Sequence, residues 1–209
     1  MRAFIYTGGV IYPDGITDHP KGEDITVAAD SGVKNAALLG VTPDFAVGDF
    51  DSFPETEIPK NTEVTTVPIE KDFTDTQLAV DVALSKEATE IIIIGGLGGR
   101  LDHTLSTLGI LERLYDAGIR AILTDGNNRV RYINATSELI PRSHFRYFSI
   151  LAATDKVKGV SVEGGKYPLK NAILTRKNQF AVSNEIEKNC ALISVKKGGI
   201  FIIESRDPS

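Results

Sequence analysis

A single cysteine, Cys190, stands in a chain of 209 residues. Without a second thiol there is no internal disulfide, which suits a reducing compartment, and Cys190 reads as a small buried hydrophobe. Long apolar runs are missing as well. The longest aliphatic stretch is Ile91-Ile92-Ile93-Ile94, far short of the roughly 18 residues that suggest a membrane span. No signal-type hydrophobic region follows Met1-Arg2-Ala3-Phe4-Ile5-Tyr6, so a cytoplasmic location is expected. There is no basic stripe either. The formal net charge is -5, and Lys and Arg are scattered apart from pairs such as Lys196-Lys197, which argues against a nucleic-acid surface. Internal repeats and low-complexity linkers are absent.

With 42% hydrophobic residues the chain can bury a real core. Its first part, to about residue 126, alternates two kinds of segment. Ala3–Tyr6, Ile25–Ala29, Phe45–Val47, Val64–Val67, Ile91–Ile94 and Ala121–Leu123 are short apolar or β-branched runs that read as strands. Val33–Leu39, Thr76–Ser85 and Thr104–Ala117 read as helices, the last with leucines every third residue and a Gly118 stop. Such alternation predicts a mostly parallel α/β sheet. After Asn127-Asn128 the period changes. Arg129–Ile133, Phe145–Leu151, Val157–Val162, Ala172–Leu174, Phe180–Val182, Ala191–Val195 and Ile200–Ile203 read as strands separated by turn residues, which predicts an antiparallel sandwich or barrel. The expected division is 1–127 and 128–209.

Six aspartates sit in turns that follow the predicted parallel strands: Asp30-Ser31-Gly32, Gly48-Asp49-Phe50-Asp51-Ser52, Lys71-Asp72-Phe73-Thr74-Asp75-Thr76-Gln77 and Gly98-Gly99-Arg100-Leu101-Asp102-His103. The carboxyl ends of parallel strands share one edge, where ligands bind. Clustered carboxylates need cations, and hard oxygen donors favour Mg²⁺ or Ca²⁺. The first expectation is a metal-dependent phosphate site. Each turn also has a plainer reading. Asp30 and Ser31 could cap a helix, Thr74 and Gln77 match a capping box, and Asp102 could cap another helix. Lys71 and Arg100 could simply pair with Asp72 or Asp102. The pair Asp49 and Asp51 resists such treatment, because residues i and i+2 of an extended turn converge from one side, and Gly48 permits close backbone approach. Gly95-Gly96-Leu97-Gly98-Gly99-Arg100 has the composition of a phosphate-cradling loop, without the Gly-Lys-Ser/Thr of a Walker A sequence. His103 has no second histidine nearby and reads as a hydrogen-bonding or stacking residue.

In order along the chain, Ala29-Asp30-Ser31-Gly32, Gly48-Asp49-Phe50-Asp51-Ser52, Lys71-Asp72-x-x-Asp75-x-Gln77 and Gly99-Arg100-x-Asp102-His103 resemble the thiamine pyrophosphokinase family. Ser183-Asn184-Glu185 is similar to that family's Ser-Asn motif. The likeness runs from Thr7-Gly8-Gly9 to Ile203. Ala181 departs from it, since related sequences often carry glycine two residues before the serine. The chain also lacks tryptophan, which animal relatives stack on the pyrimidine, so the stacking partner is open.

The resemblance implies an α/β domain binding Mg-ATP over 1–127 and a β-sandwich binding thiamine over 128–209. It also implies a homodimer with active sites between subunits. Asp49, Asp51, Asp72 and Asp75 would hold Mg²⁺, and Lys71 and Arg100 would stabilise charge on the phosphates. Asp30, Ser31, Gln77, Gly98, Gly99, Asp102 and His103 would line the nucleotide side. Ser183 and Asn184, with Asp51 and Gln77, would meet thiamine. Other readings of the acid cluster are a pyrophosphokinase for another alcohol such as a hydroxymethylpterin, a Mg²⁺-dependent nucleotide hydrolase, and a non-catalytic nucleotide sensor. If the metal assignment holds, Asp51→Asn lowers turnover by orders of magnitude and leaves the fold intact. Steady-state rates and circular dichroism on the variant check both parts.

Overall fold

The computed structural model describes residues 1–50, 54–66 and 73–207, so the expected site residues Asp51, Lys71 and Asp72 lie outside the described residues. The chain divides into two compact units, Met1–Gly126 and Asn127–Ser209.

The first unit is an α/β layer. Its strands are β1 (Arg2–Tyr6), β2 (Ile25–Ala29), β3 (Phe45–Gly48), β4 (Glu63–Thr66), β5 (Glu90–Ile94) and β6 (Arg120–Thr124). They run in the spatial order β4-β3-β2-β1-β5-β6, and every pairing among them is parallel. The all-apolar runs predicted to be covered on both faces are the central ones. Residues Ala3–Tyr6, Ile25–Ala29 and Ile91–Ile94 are buried throughout. The peripheral β4 is exposed at all four residues. The helices are α1 (Gly32–Leu38), α2 (Asp75–Ser85) and α3 (Leu101–Asp116). α1 packs on β1 and β2, α2 on β1, β2 and β3, and α3 on β6. Among the described residues, no helix is long and apolar enough to cross a membrane.

The second unit is antiparallel, as its short strands and turn residues predict. β7 (Asn128–Asn134) and β9 (Tyr147–Ala152) flank β13 (Gly199–Ser205). β8 (Ser137–Pro141), β10 (Lys156–Glu163), β11 (Leu169–Thr175) and β12 (Cys190–Ser194) pair in the order β11-β10-β12-β8. Phe148 of β9 and Val162 of β10 close around Gly165, where an added β-carbon would lie 3.0 and 3.1 Å from them. Two segments differ from the sequence expectation. β8 was not anticipated, because only Ile140 of its five residues is buried, so an edge strand left almost no apolar alternation to read. Phe180–Val182 was expected as a strand and is not one. Its apolar side chains are about half exposed at Phe180 and Val182, and the segment is tied to β9 by one backbone bond, Ile150 N–H to the Ala181 carbonyl at 2.7 Å.

One close contact fixes where α1 meets the sheet. A β-carbon on Gly32 would stand 2.0 Å from the Tyr6 carbonyl oxygen and 2.9 Å from the Thr7 nitrogen. Backbone cannot yield as a flexible side chain can. An alanine in a helix is normally worth about 0.5–1 kcal/mol over glycine, and exposed Gly109 in α3, with nothing within 4 Å of its added β-carbon, should show that gain. Gly32→Ala should instead destabilise by about 2 kcal/mol, the scale of overpacking. Denaturant unfolding of the two variants gives opposite signs if the contact is as described.

Candidate active site

The strand order reverses between β1 and β5: β2, β3 and β4 lie on one side of β1, and β5 and β6 on the other. Turns leaving the carboxyl ends on either side of such a reversal diverge and leave a crevice. A cleft of about 370 Å³ occupies this edge. Its walls come from the turn after β1 (Thr7, Gly8, Gly9), the turn after β2 (Asp30, Ser31), the start of α2 (Thr74, Asp75, Thr76), and the loop from β5 into α3 (Gly96, Gly98, Gly99, Arg100, His103).

Seven of the predicted residues therefore meet in one place: Asp30, Ser31, Asp75, Gly98, Gly99, Arg100 and His103. Asp49, Gln77 and Asp102 do not line this cleft, although they adjoin it in sequence or by contact. Ser183 and Asn184 belong to the second unit.

Glycines let the turns approach one another. A β-carbon on Gly48, at the end of β3, would stand 3.1 Å from the Asp30 Cα, and one on Gly95 would stand 2.7 Å from the Thr7 carbonyl oxygen. Close approach, the reason the sequence offered for Gly48, is what the geometry requires of it. Asp30 adopts a left-handed backbone at φ 45°, sparsely populated for a residue with a β-carbon and costing about 1–2 kcal/mol, while its N–H donates to the Val47 carbonyl at 2.8 Å. Phe50, at φ 52°, turns into a buried cluster with Ala28, Val33, Ala46 and Ile58. That burial anchors the half-buried Asp49 beside it.

The plain capping readings divide. The capping box of α2 is real: Gln77 N–H donates to Thr74 Oγ1 at 3.2 Å, and Thr74 N–H donates to Gln77 Oε1 at 2.9 Å. Ser31 precedes α1 but makes no side-chain capping bond, so helix capping does not account for it. Asp102 lies in the first turn of α3, where its charge suits the helix dipole. Its carboxylate accepts from Arg100 Nη2 at 2.6 Å, from Arg100 Nε at 3.2 Å and from the His103 N–H at 3.0 Å. The guanidinium holds this carboxyl below the usual carboxylate range. Both side chains are largely exposed, so the pair is screened and adds little to stability. Giving up Asp102 for another anion would accordingly cost Arg100 little.

One brace of the site lies outside the sequence motifs. Asn35, buried in α1, donates from Nδ2 to the Thr7 carbonyl at 2.7 Å and to the Gly9 carbonyl at 3.0 Å. A polar amide at a buried helix position was its only signal. Phe73, Thr74, Thr76 and Thr107 also line the cleft without having been singled out as site residues.

In the second unit Ser183 is exposed at φ 54°, and its N–H donates to Ser149 Oγ at 3.0 Å. Asn184 is buried. Its Oδ1 accepts from the Tyr167 and Glu185 N–H groups, both at 2.9 Å, and its Nδ2 donates to the Tyr167 carbonyl at 2.8 Å. Asn184 thereby fixes the backbone of Tyr167, next to a small pocket of about 70 Å³.

Comparison with known proteins gives one result throughout. Residues 18–123 match the family model "Thiamin pyrophosphokinase, catalytic domain", and residues 136–200 match "Thiamin pyrophosphokinase, vitamin B1 binding domain". The chain is 31% identical to thiamine pyrophosphokinase of Bacillus subtilis (strain 168) over 202 residues, covering 94% of each chain. It is 30% identical to thiamin pyrophosphokinase 1 of Caenorhabditis elegans over 171 residues, covering 78% of this chain and 70% of that one. The crystal structure of the Bacillus subtilis enzyme superposes with a TM-score of 0.89 at 28% identity, covering all of both chains.

The glycines of the β5–α3 loop should separate by role. Gly99, at φ 70° with nothing within 4 Å of an added β-carbon, carries only backbone strain, so Gly99→Ala costs about 1–2 kcal/mol. Gly95, at φ 94°, adds the collision with Thr7, so Gly95→Ala lowers the melting temperature clearly more. Thermal unfolding of the two variants in parallel checks the order.

Proposed function

The chain belongs to the thiamin pyrophosphokinase family, and from that premise we propose that it transfers the pyrophosphoryl group of ATP to the hydroxyl of thiamine, giving thiamine diphosphate and AMP. In this reading residues 1–127 bind Mg-ATP and residues 128–209 bind thiamine. The observation that carries it is the cleft at the strand-order reversal, where glycine turns, helix N-termini, carboxylates and Arg100 converge. N–H groups at helix starts and in glycine turns suit phosphate oxygens.

Mg²⁺ fits the donors available. Asp49 directly follows β3 and Asp75 opens α2, and both offer only hard oxygen, the ligand type Mg²⁺ takes together with substrate phosphates. Asp49 and Asp75, with Asp51 and Asp72, are the residues that would hold it. When bound, the ion neutralises phosphate charge.

The rest falls to this chain's own groups. Arg100 leaves Asp102 and pairs bidentately with a phosphate, and Lys71 adds a second positive charge. Asp30, Ser31, Gly98, Gly99 and His103 line the nucleotide. Gln77 closes the cap that sets the position of Asp75. Ser183 and Asn184, both on the loop before β12, would meet the aminopyrimidine, exposed Ser183 directly and buried Asn184 through the Tyr167 backbone that it fixes. The thiamine oxygen then attacks the β-phosphorus, a new P–O bond forms, and the bond from that phosphorus to the oxygen of the departing AMP breaks. A carboxylate of the cluster takes the hydroxyl proton. Such transfers depend on positioning and charge neutralisation more than on covalent chemistry by the protein. A cytoplasmic homodimer with sites shared between subunits belongs to the same reading, by family likeness.

Incubation with Mg-ATP, with and without thiamine, followed by chromatography of the products, tests the proposal. Equal amounts of AMP and thiamine diphosphate, formed only with thiamine, are the expected result. AMP or ADP formed without thiamine identifies a hydrolase. Product formed only with another alcohol, such as a hydroxymethylpterin, moves the acceptor assignment.

A further inference from the structure

Among the described residues lining the cleft, all but His103 and Phe73 are glycine, serine, threonine, alanine or charged. The one large apolar side chain among these described residues is Phe73, which is 54% exposed. A lone exposed phenylalanine on a protein surface needs no explanation. One set in the wall of a polar phosphate cleft is different, because the hydrated anions that fill such a cleft gain nothing from an apolar ring.

The chain sets the ring beside one of the cleft's carboxylates. Phe73 immediately precedes Thr74, the N-cap of α2, and Asp75 follows in the first turn. The capping box between Thr74 and Gln77 holds this turn. The ring therefore shares a turn with Asp75, a carboxylate that would hold Mg²⁺ beside the reacting phosphorus in the function proposed above, on which this inference rests. In ATP the purine is separated from the β-phosphorus by the ribose and the α-phosphate. In thiamine the thiazolium is separated from the attacking oxygen only by the hydroxyethyl arm. The ring nearest the reaction is thus the acceptor's, and it bears a fixed positive charge with no N–H to donate. Carboxylates and an aromatic face are the groups able to recognise such a cation, and the face does so through its quadrupole.

We infer that Phe73 is a specificity-determining residue for the acceptor, its ring face held against the cationic thiazolium of thiamine. Asp30 and Asp75, which line the same cleft, add negative potential around that position. The phenyl ring selects a charged aromatic alcohol over a neutral one of the same shape.

The test compares the wild-type enzyme, Phe73→Leu and Phe73→Tyr with two acceptors at saturating Mg-ATP: thiamine, and its analogue carrying a neutral thiophene in place of the thiazolium. Phe73→Leu keeps apolar bulk and removes the π-face. It should lower kcat/KM for thiamine by roughly five- to thirty-fold, leave KM for Mg-ATP unchanged, and shrink the preference for thiamine over the neutral analogue by the same factor. Phe73→Tyr should restore both values. Equal losses with the two acceptors would show packing without charge recognition and overturn the inference. So would a rise in KM for Mg-ATP, which assigns the ring to the nucleotide, or a Phe73→Leu enzyme identical to wild type. A wild-type enzyme that makes no thiamine diphosphate removes the proposed function and this inference together; an active wild type with any of the preceding results removes only the inference.

Discussion

Backbone lies against backbone, with little or no room for a β-carbon, at the carboxyl edge of the parallel sheet. Gly32 meets Tyr6, Gly95 meets Thr7, and Gly48 meets Asp30. These contacts tie the turns after β1, β2, β3 and β5 to one another. Their spacing sets where the acid and glycine turns stand, and every other feature of the cleft inherits it. Asp30 keeps a left-handed backbone because the packing around it over-determines that conformation. The helices follow from the same edge. α1 begins at Gly32, and the N-termini of α2 and α3 open toward the cleft.

The parallel half was legible because burial on both faces leaves uninterrupted apolar runs, as in Ile25–Ala29 and Ile91–Ile94. The antiparallel half was harder. β8 shows one buried residue in five, which is too few to display a period of two. Phe180–Val182 shows the opposite failure, with β-forming residues about half exposed outside any strand. Propensity measured the residues correctly there, and tertiary context decided otherwise.

For the site, what could be read was the clustering of carboxylates, because topology brings distant turns to a common edge. Which of the two roles a polar residue plays could not be read. Thr74 and Gln77 matched a capping box in sequence and form one in space, whereas Ser31 looked like a cap and makes no capping bond. Arg100 does pair with Asp102, so the plain ion-pair reading of these two residues holds, and the sequence alone does not tell it from a phosphate-binding role. Asn35 left no trace in the motifs, since its work is to satisfy carbonyls of a loop far away in sequence.

That last residue ties the working lifetime of the molecule to one amide. Both bonds from Asn35 are donated by its nitrogen, to the Thr7 and Gly9 carbonyls. Hydrolysis of the side chain to aspartate would exchange a donor for an acceptor and turn it against two carbonyl oxygens. The surrounding hydrophobic cluster would persist, and the loop at the mouth of the cleft would lose its brace. Burial of the side chain shields it from the solvent that such ageing requires, so the packing of α1 on the sheet acts as a preservative for the site as well as a scaffold.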